Sequence, residues 1–203
     1  PQHIAAMNWK QDFINWLWLK GCEIDKSLLI YSSAYGNMET VKFLFDTLHF
    51  FKEREEDDDD IIDKSINSAA VNGQDKVLSY LINVFPEISL VEAMVYAARN
   101  GSLECVKICY KHQKKENDVD AWESFLNACA FGHLDIVLYL IKLNVKPISS
   151  SYSKIGKNLT PLSCAVNNNH YKVAELIINS GYAKVNDKYM KDHSFKNSEI
   201  LNN

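Results

Sequence analysis

Residues 128–141 read ACAFGHLDIVLYLI. A small pair (Ala128, Cys129) and two variable residues (Ala130, Phe131) precede Gly132, and an acid with an apolar stripe at helical spacing (Ile136, Val137, Leu140) follows it. Glycine accepts the left-handed backbone that stops one helix and lets the chain turn back into the next. The stripe gives the second helix one apolar face, and the small pair lets a neighbouring helix approach closely. The segment is read as helix, tight turn, helix.

The same grammar recurs along the chain. It appears as AAMNWKQDFINWLWLKG from Ala5, SSAYGNMETVKFLF from Ser32, AAVNGQDKVLSYLI from Ala69, AARNGSLECVKICY from Ala97 and AVNNNHYKVAELIINSG from Ala165. The turn positions are Trp9, Gly36, Gly73, Gly101, Gly132 and Asn169, spaced by 27, 37, 28, 31 and 37 residues. A two-helix unit cannot bury its apolar face alone, so such units stack and share a continuous core.

These residues resemble the ankyrin repeat, over residues 1 to about 186. The sixth unit, TPLSCAVNNNHYKVAELIINSGYAKVN from Thr160, departs from the family's threonine-proline-leucine-histidine opening mainly at Ser163. Pro1-Gln2-His3-Ile4-Ala5-Ala6 looks like the same opening cut short. Elsewhere it has decayed to Ser27-Leu28-Leu29-Ile30, Lys64-Ser65-Ile66-Asn67, Glu92-Ala93-Met94-Val95 and Glu123-Ser124-Phe125-Leu126. The resemblance implies an all-α, helix-turn-helix repeat solenoid of about six stacked units with short or missing hairpin fingers. The units are expected at about 1–25, 26–63, 64–91, 92–122, 123–159 and 160–186, with helices starting near Ser27, Ser65, Glu92, Glu123 and Thr160. The two spacings of 37 mark insertions at Lys52 to Asp60 and Pro147 to Asn158, and 187–203 is expected as a capping helix or a frayed tail.

Composition narrows the function classes. The 203 residues carry a formal charge of −4, but Glu53 to Asp60 alone holds seven acids against Arg54. That run reads as a solvated, self-repelling loop, with an electrostatic bait for a basic partner or a divalent cation as the alternative. Outside it 21 basic residues face 19 acidic ones, a dispersed balance with no stripe for phosphates, which argues against nucleic-acid binding. No run reaches the roughly 18 apolar residues of a membrane span. Five cysteines without a CxxC pair favour reduced thiols and a cytosolic address.

No catalytic residues and no cofactor are expected. Cys105, Cys109 and His112 lie at i, i+4 and i+7, a helical face with plausible zinc spacing, yet the thiols occupy the register of Thr40 and Leu44 or Ile136 and Leu140 and read as core. No nucleophile motif, metal-protease motif or phosphate loop appears. His133 and His170 directly follow turn positions and read as structural.

What remains is a binding surface. In ankyrin-like stacks the two variable residues before each turn project toward the concave side, which here gives Met7, Asn8, Tyr35, Asn72, Arg99, Asn100, Phe131, Asn167 and Asn168 as the partner-binding row. Tyr, Phe and Arg dominate binding energy at protein interfaces, and asparagine amides suit an extended peptide backbone. The expected function is binding of a partner protein. The alternative is the targeting domain of a larger enzyme or secreted bacterial effector whose catalytic part lies outside this chain; a third reading is a structural spacer.

Overall fold

A computed structural model of the chain describes residues 2, 11–53, 55, 58–112, 118–145 and 159–182. Every regular element among these residues is helical. The order is α1 (Gln11–Leu19), α2 (Leu28–Ala34), α3 (Met38–Lys42) running on into a π-helical turn (Phe43–Thr47), α4 (Asp58–Val71), α5 (Asp75–Val84) and α6 (Val91–Asn100). It continues with α7 (Leu103–His112), α8 (Asp118–Phe131), α9 (Leu134–Lys142), α10 (Pro161–Asn167) and α11 (Tyr171–Asn179).

One turn geometry joins the helices of four of the pairs. Asn37 N, Gln74 N, His133 N and His170 N donate to Ser32 O, Ala69 O, Ala128 O and Ala165 O at 2.8, 2.8, 2.9 and 2.8 Å. Each acceptor is the first member of the small pair, and the residue just before each donor has positive φ: Gly36 70°, Gly73 68°, Gly132 80° and Asn169 62°. This is the left-handed helix stop expected from the sequence, with asparagine standing in once for glycine. The pairs Ser32–Ser33, Ala69–Ala70, Ala97–Ala98 and Ala128–Cys129 are buried, as close helix approach requires.

The chain divides into two compact units, Pro1–Ala97 with Glu104–Gln113, and Ala98–Leu103 with Lys114–Asn203. In the first, α2 packs on α4 and α3 on α5, so first helices meet first helices and second meet second. Leu28, Leu29, Val41, Leu44, Ile62, Ile66, Leu78 and Leu81 form the core of this unit. In the second, α8 packs on α10 and α9 on α11 around Phe125, Leu126, Ile136, Val137, Leu140 and Ile177. The Tyr182 hydroxyl closes that core by donating to Val145 O. Phe125 meets the Tyr182 ring edge-on at 5.0 Å.

The insertion after α3 departs from a plain repeat. The π turn lets Leu48 N donate back to Phe43 O at 3.2 Å, and His49 and Phe51 take φ of 55° and 65°. Phe45 thereby meets Phe51, Tyr80 and Phe85 at ring distances of 5.4, 5.8 and 5.7 Å. This aromatic cluster anchors the inserted segment to α5 without any hairpin.

Two helix starts differ from the sequence expectation. The helix expected near Ser65 begins at Asp58, and the one expected near Glu123 begins at Asp118. The acidic run is therefore not wholly a solvated loop: Asp58, Asp59 and Asp60 form the first turn of α4, where carboxylates favour the positive helix end. Asp58 is only 1% exposed, accepts Glu55 N at 3.0 Å and pairs with Lys26 Nζ at 2.8 Å. Lys26 also reaches Glu55 at 2.5 Å. The sequence around Ser65 did not reveal this start because Lys26, the residue that holds Asp58, lies 32 residues away. The insertion at 147–158 and the 187–203 tail lie outside the described residues.

Candidate functional site

The residues before each turn sit at the C-terminal end of the first helix of their pair, one or two positions beyond the buried small pair. That register puts them on the surface. Tyr35 caps α2 and is 42% exposed; Phe131 ends α8 and is 44% exposed; Asn72, Arg99, Asn100, Asn167 and Asn168 are exposed as well. Met7 and Asn8 lie outside the described residues.

Two of the asparagines are tied to their own helices. Asn72 Nδ2 donates at 2.9 Å to Ser68 O, which also accepts Asn72 N at 3.2 Å, and Asn168 Nδ2 donates to Cys164 O at 2.8 Å near the end of its helix. Each bond takes up one of the two amide N–H groups, so these positions offer less donor capacity than the sequence suggests.

Arg99 and Phe131 form the most organised part of the row. The Arg99 guanidinium carbon lies 4.9 Å from the Phe131 ring centroid. Their registers differ by one position, Arg99 two residues before its turn and Phe131 one before the next, which is why the sequence nominated both without pairing them. The backbone beneath is fixed: His133 Nε2 lies 2.9 Å from Arg99 O, and because a carbonyl only accepts, that nitrogen carries the proton. A Cβ on Gly101 would sit 2.8 Å from His133 Cε1 and Nδ1. Gly101, at φ +83°, is needed for both its backbone and its lack of a side chain. His170 leans in the same way on Gly132, and Gln74 on Gly36, with Gln74 Nε2 3.4 Å from Ala34 O. The two histidines thus act as braces between successive turns.

The thiols belong to the core. Cys105, Cys109, Cys129 and Cys164 are buried, and none of the five cysteines is bonded to another. Burial pushes the Cys105 and Cys109 thiols up to about 12 and Cys164 to about 11, and raises Cys129 well above the ordinary range, so all four are poor thiolates at neutral pH. His112, the third member of the zinc-like spacing, is exposed while Cys105 and Cys109 point into packing. Among the described residues no group of three or more His, Cys, Asp or Glu could hold a metal ion.

A family model for ankyrin repeats in three copies matches residues 66–151 and 94–189, together more than half of the chain. The chain belongs to the ankyrin repeat family. No curated protein matches it. Ankyrin repeats are generally protein-protein interaction modules, and their typical role is binding without catalysis. No helix among the described residues is long and apolar enough to cross a membrane.

Proposed function

We propose that this ankyrin chain binds a partner protein through the pre-turn row of Tyr35, Asn72, Arg99, Asn100, Phe131, Asn167 and Asn168, with Met7 and Asn8 at the first unit, on the concave side of its repeats. The observation that supports this reading is the contrast across two residues. Ser33, Ala70, Ala98 and Cys129 are buried, while Tyr35 and Phe131 stay more than two-fifths exposed. Rings that merely padded a neighbouring helix would be covered. Large exposed aromatic side chains beside amides match the anatomy of interface hot spots. The function is adhesion to a partner, with no chemistry of its own.

The cytosol is the proposed location, supported by five unpaired thiols. If the chain is the targeting part of a larger enzyme or effector, the same row does the targeting.

The test is crosslinking capture from a cytosolic lysate, comparing the native chain with Tyr35→Ala and Phe131→Ala. Loss of a hot-spot anchor costs about 2 kcal/mol or more of binding, roughly thirtyfold. Replacing exposed Asp59 and Asp60 with Ser is the control. If the acidic change abolishes capture while both aromatic changes are silent, the partner binds at the insertion instead and the reading fails.

A further inference from the structure

Within that row, we propose that Arg99, stacked on Phe131, is a receptor for one carboxylate, so that the partner segment bound there carries an Asp or Glu side chain. This rests on the row being the binding surface, and it adds the chemistry of what is bound.

Arg99 is exposed, and among the described residues no carboxylate pairs with it; its guanidinium carbon lies 4.9 Å from the Phe131 ring centroid. A guanidinium lying over a ring keeps its N–H groups at the edge of the plane, free to donate as a fork to two carboxylate oxygens. Stacking removes much of the rotamer freedom that an isolated surface arginine would lose on binding. The support is also fixed, since His133 holds Arg99 O at 2.9 Å and packs against Gly101. An arginine so prepared, with no acid paired to it among the described residues, is poised for an acid from elsewhere.

Its surroundings favour a carboxylate over a phosphate. Arg99 and Arg54 are the only arginines in the chain, and the other row positions are Asn, Tyr, Phe and Met rather than lysine. One cation matches a monoanion; a dianionic phosphate group is usually met by several. At the register of Phe131 in the next repeat, Asn168 commits one amide N–H to Cys164 O, and an amide at that position can also accept a backbone N–H of an extended segment.

The test is selection from a random dodecapeptide display library against the native chain, followed by binding measurements on the selected peptides. The expected result is one position dominated by Asp or Glu. Changing that residue to Asn or Gln weakens the native chain roughly tenfold or more, as a charged hydrogen bond predicts. Against Arg99→Gln, whose folding is checked by its melting curve, the acidic and amide peptides bind alike. Arg99→Lys, which keeps the charge and loses the fork, recovers only part of the difference, and Phe131→Leu lowers affinity for the acidic peptide more than for the amide one. A phosphoserine peptide is expected to gain no more than twofold over the glutamate peptide. Selected peptides without an acidic position, or an equal loss with Arg99→Gln for acidic and amide peptides, overturn the carboxylate assignment and leave the row standing. Selected peptides whose binding ignores Tyr35→Ala, Phe131→Ala and Arg99→Gln alike overturn both.

Discussion

Helices α4 and α10 open equivalent repeats by different physics. At α10 the opening is local: Ser163 N donates to Thr160 Oγ1 at 3.1 Å, Thr160 N donates to Ser163 Oγ at 2.9 Å, and Pro161 fills the first helical position. At α4 the family opening has decayed, the helix extends back to Asp58, and that buried carboxylate is held by Lys26, 32 residues away in sequence. A local cap folds with its own repeat. A long-range ion pair instead makes the start of one repeat depend on the repeat before it, which is a form of coupling that sequence decay can introduce without loss of fold.

The largest expected effect is at the ion pair. Lys26→Met removes the ammonium from a carboxylate that is itself buried, whereas the ammonium is about a quarter exposed. Breaking a fully buried pair costs 3–5 kcal/mol; with Lys26 partly exposed and Asp58 keeping its bond from Glu55 N, about 2 kcal/mol is expected in urea unfolding. Adding Asp58→Asn is expected to restore part of that loss, since the amide oxygen can still accept Glu55 N. A single change that leaves the urea midpoint unmoved would show that α4 starts on its own.

The turns provide the uniform counterpart. Gly132 has φ +80° and an added Cβ would lie 2.5 Å from His170 Nδ1, while Gly21 has φ +76° with nothing near. Gly21→Ala carries backbone strain alone, on the order of 1 kcal/mol, and Gly132→Ala is expected to cost more, about 2 kcal/mol, because the His170 brace must also move. Equal losses at the two sites would mean that the brace contributes nothing.

What could be read from the chain follows the same division. The small pairs, turn residues and apolar stripes are local signals, and they located the helix pairs and the exposed positions of Tyr35, Arg99 and Phe131. Features made between repeats were not legible: the Lys26–Asp58 pair, the early start of α4, the π turn at Phe43–Thr47 and the stacking of Arg99 on Phe131 each need a partner more than 30 residues away or an irregular backbone with no compositional mark. The braces at His133 and His170 were legible in position, since both follow a turn, but not in what they touch.

Thr160→Ala tests the local opening. It is expected to cost about 1 kcal/mol, as for other lost N-caps, with Ser163→Ala costing less because only the reciprocal bond is removed. Hydrogen exchange is expected to confine the Thr160 effect to α10 and α11, in contrast to Lys26→Met, which is expected to raise exchange in both α2 and α4. A Thr160 variant that loosens helices outside its own repeat would erase the distinction between the two openings.

The smallest effect separates the openings by pH. The hydrogen bonds that the Lys26 ammonium donates to Asp58 and then Glu55 raise its pKa above the ordinary 10.5. A raised basic group contributes stability that is fully present below its unfolded pKa and is lost as pH rises through the folded one. The stability gap between the native chain and Lys26→Met is therefore expected to hold from neutral pH to about 10 and to narrow above it. Alkali also destabilises both proteins on its own account. Cys105 and Cys109 rise from 9.0 to about 12 and Tyr182 from 10.0 to about 12, so the unfolded chain ionises first and stability falls above about pH 9. Those groups are common to both proteins and cancel in the difference. The Thr160→Ala gap rests on bonds between neutral groups and is expected to narrow far less across the same range, so a Lys26 gap that is equally flat would show that the ammonium is not what holds Asp58 at the start of α4.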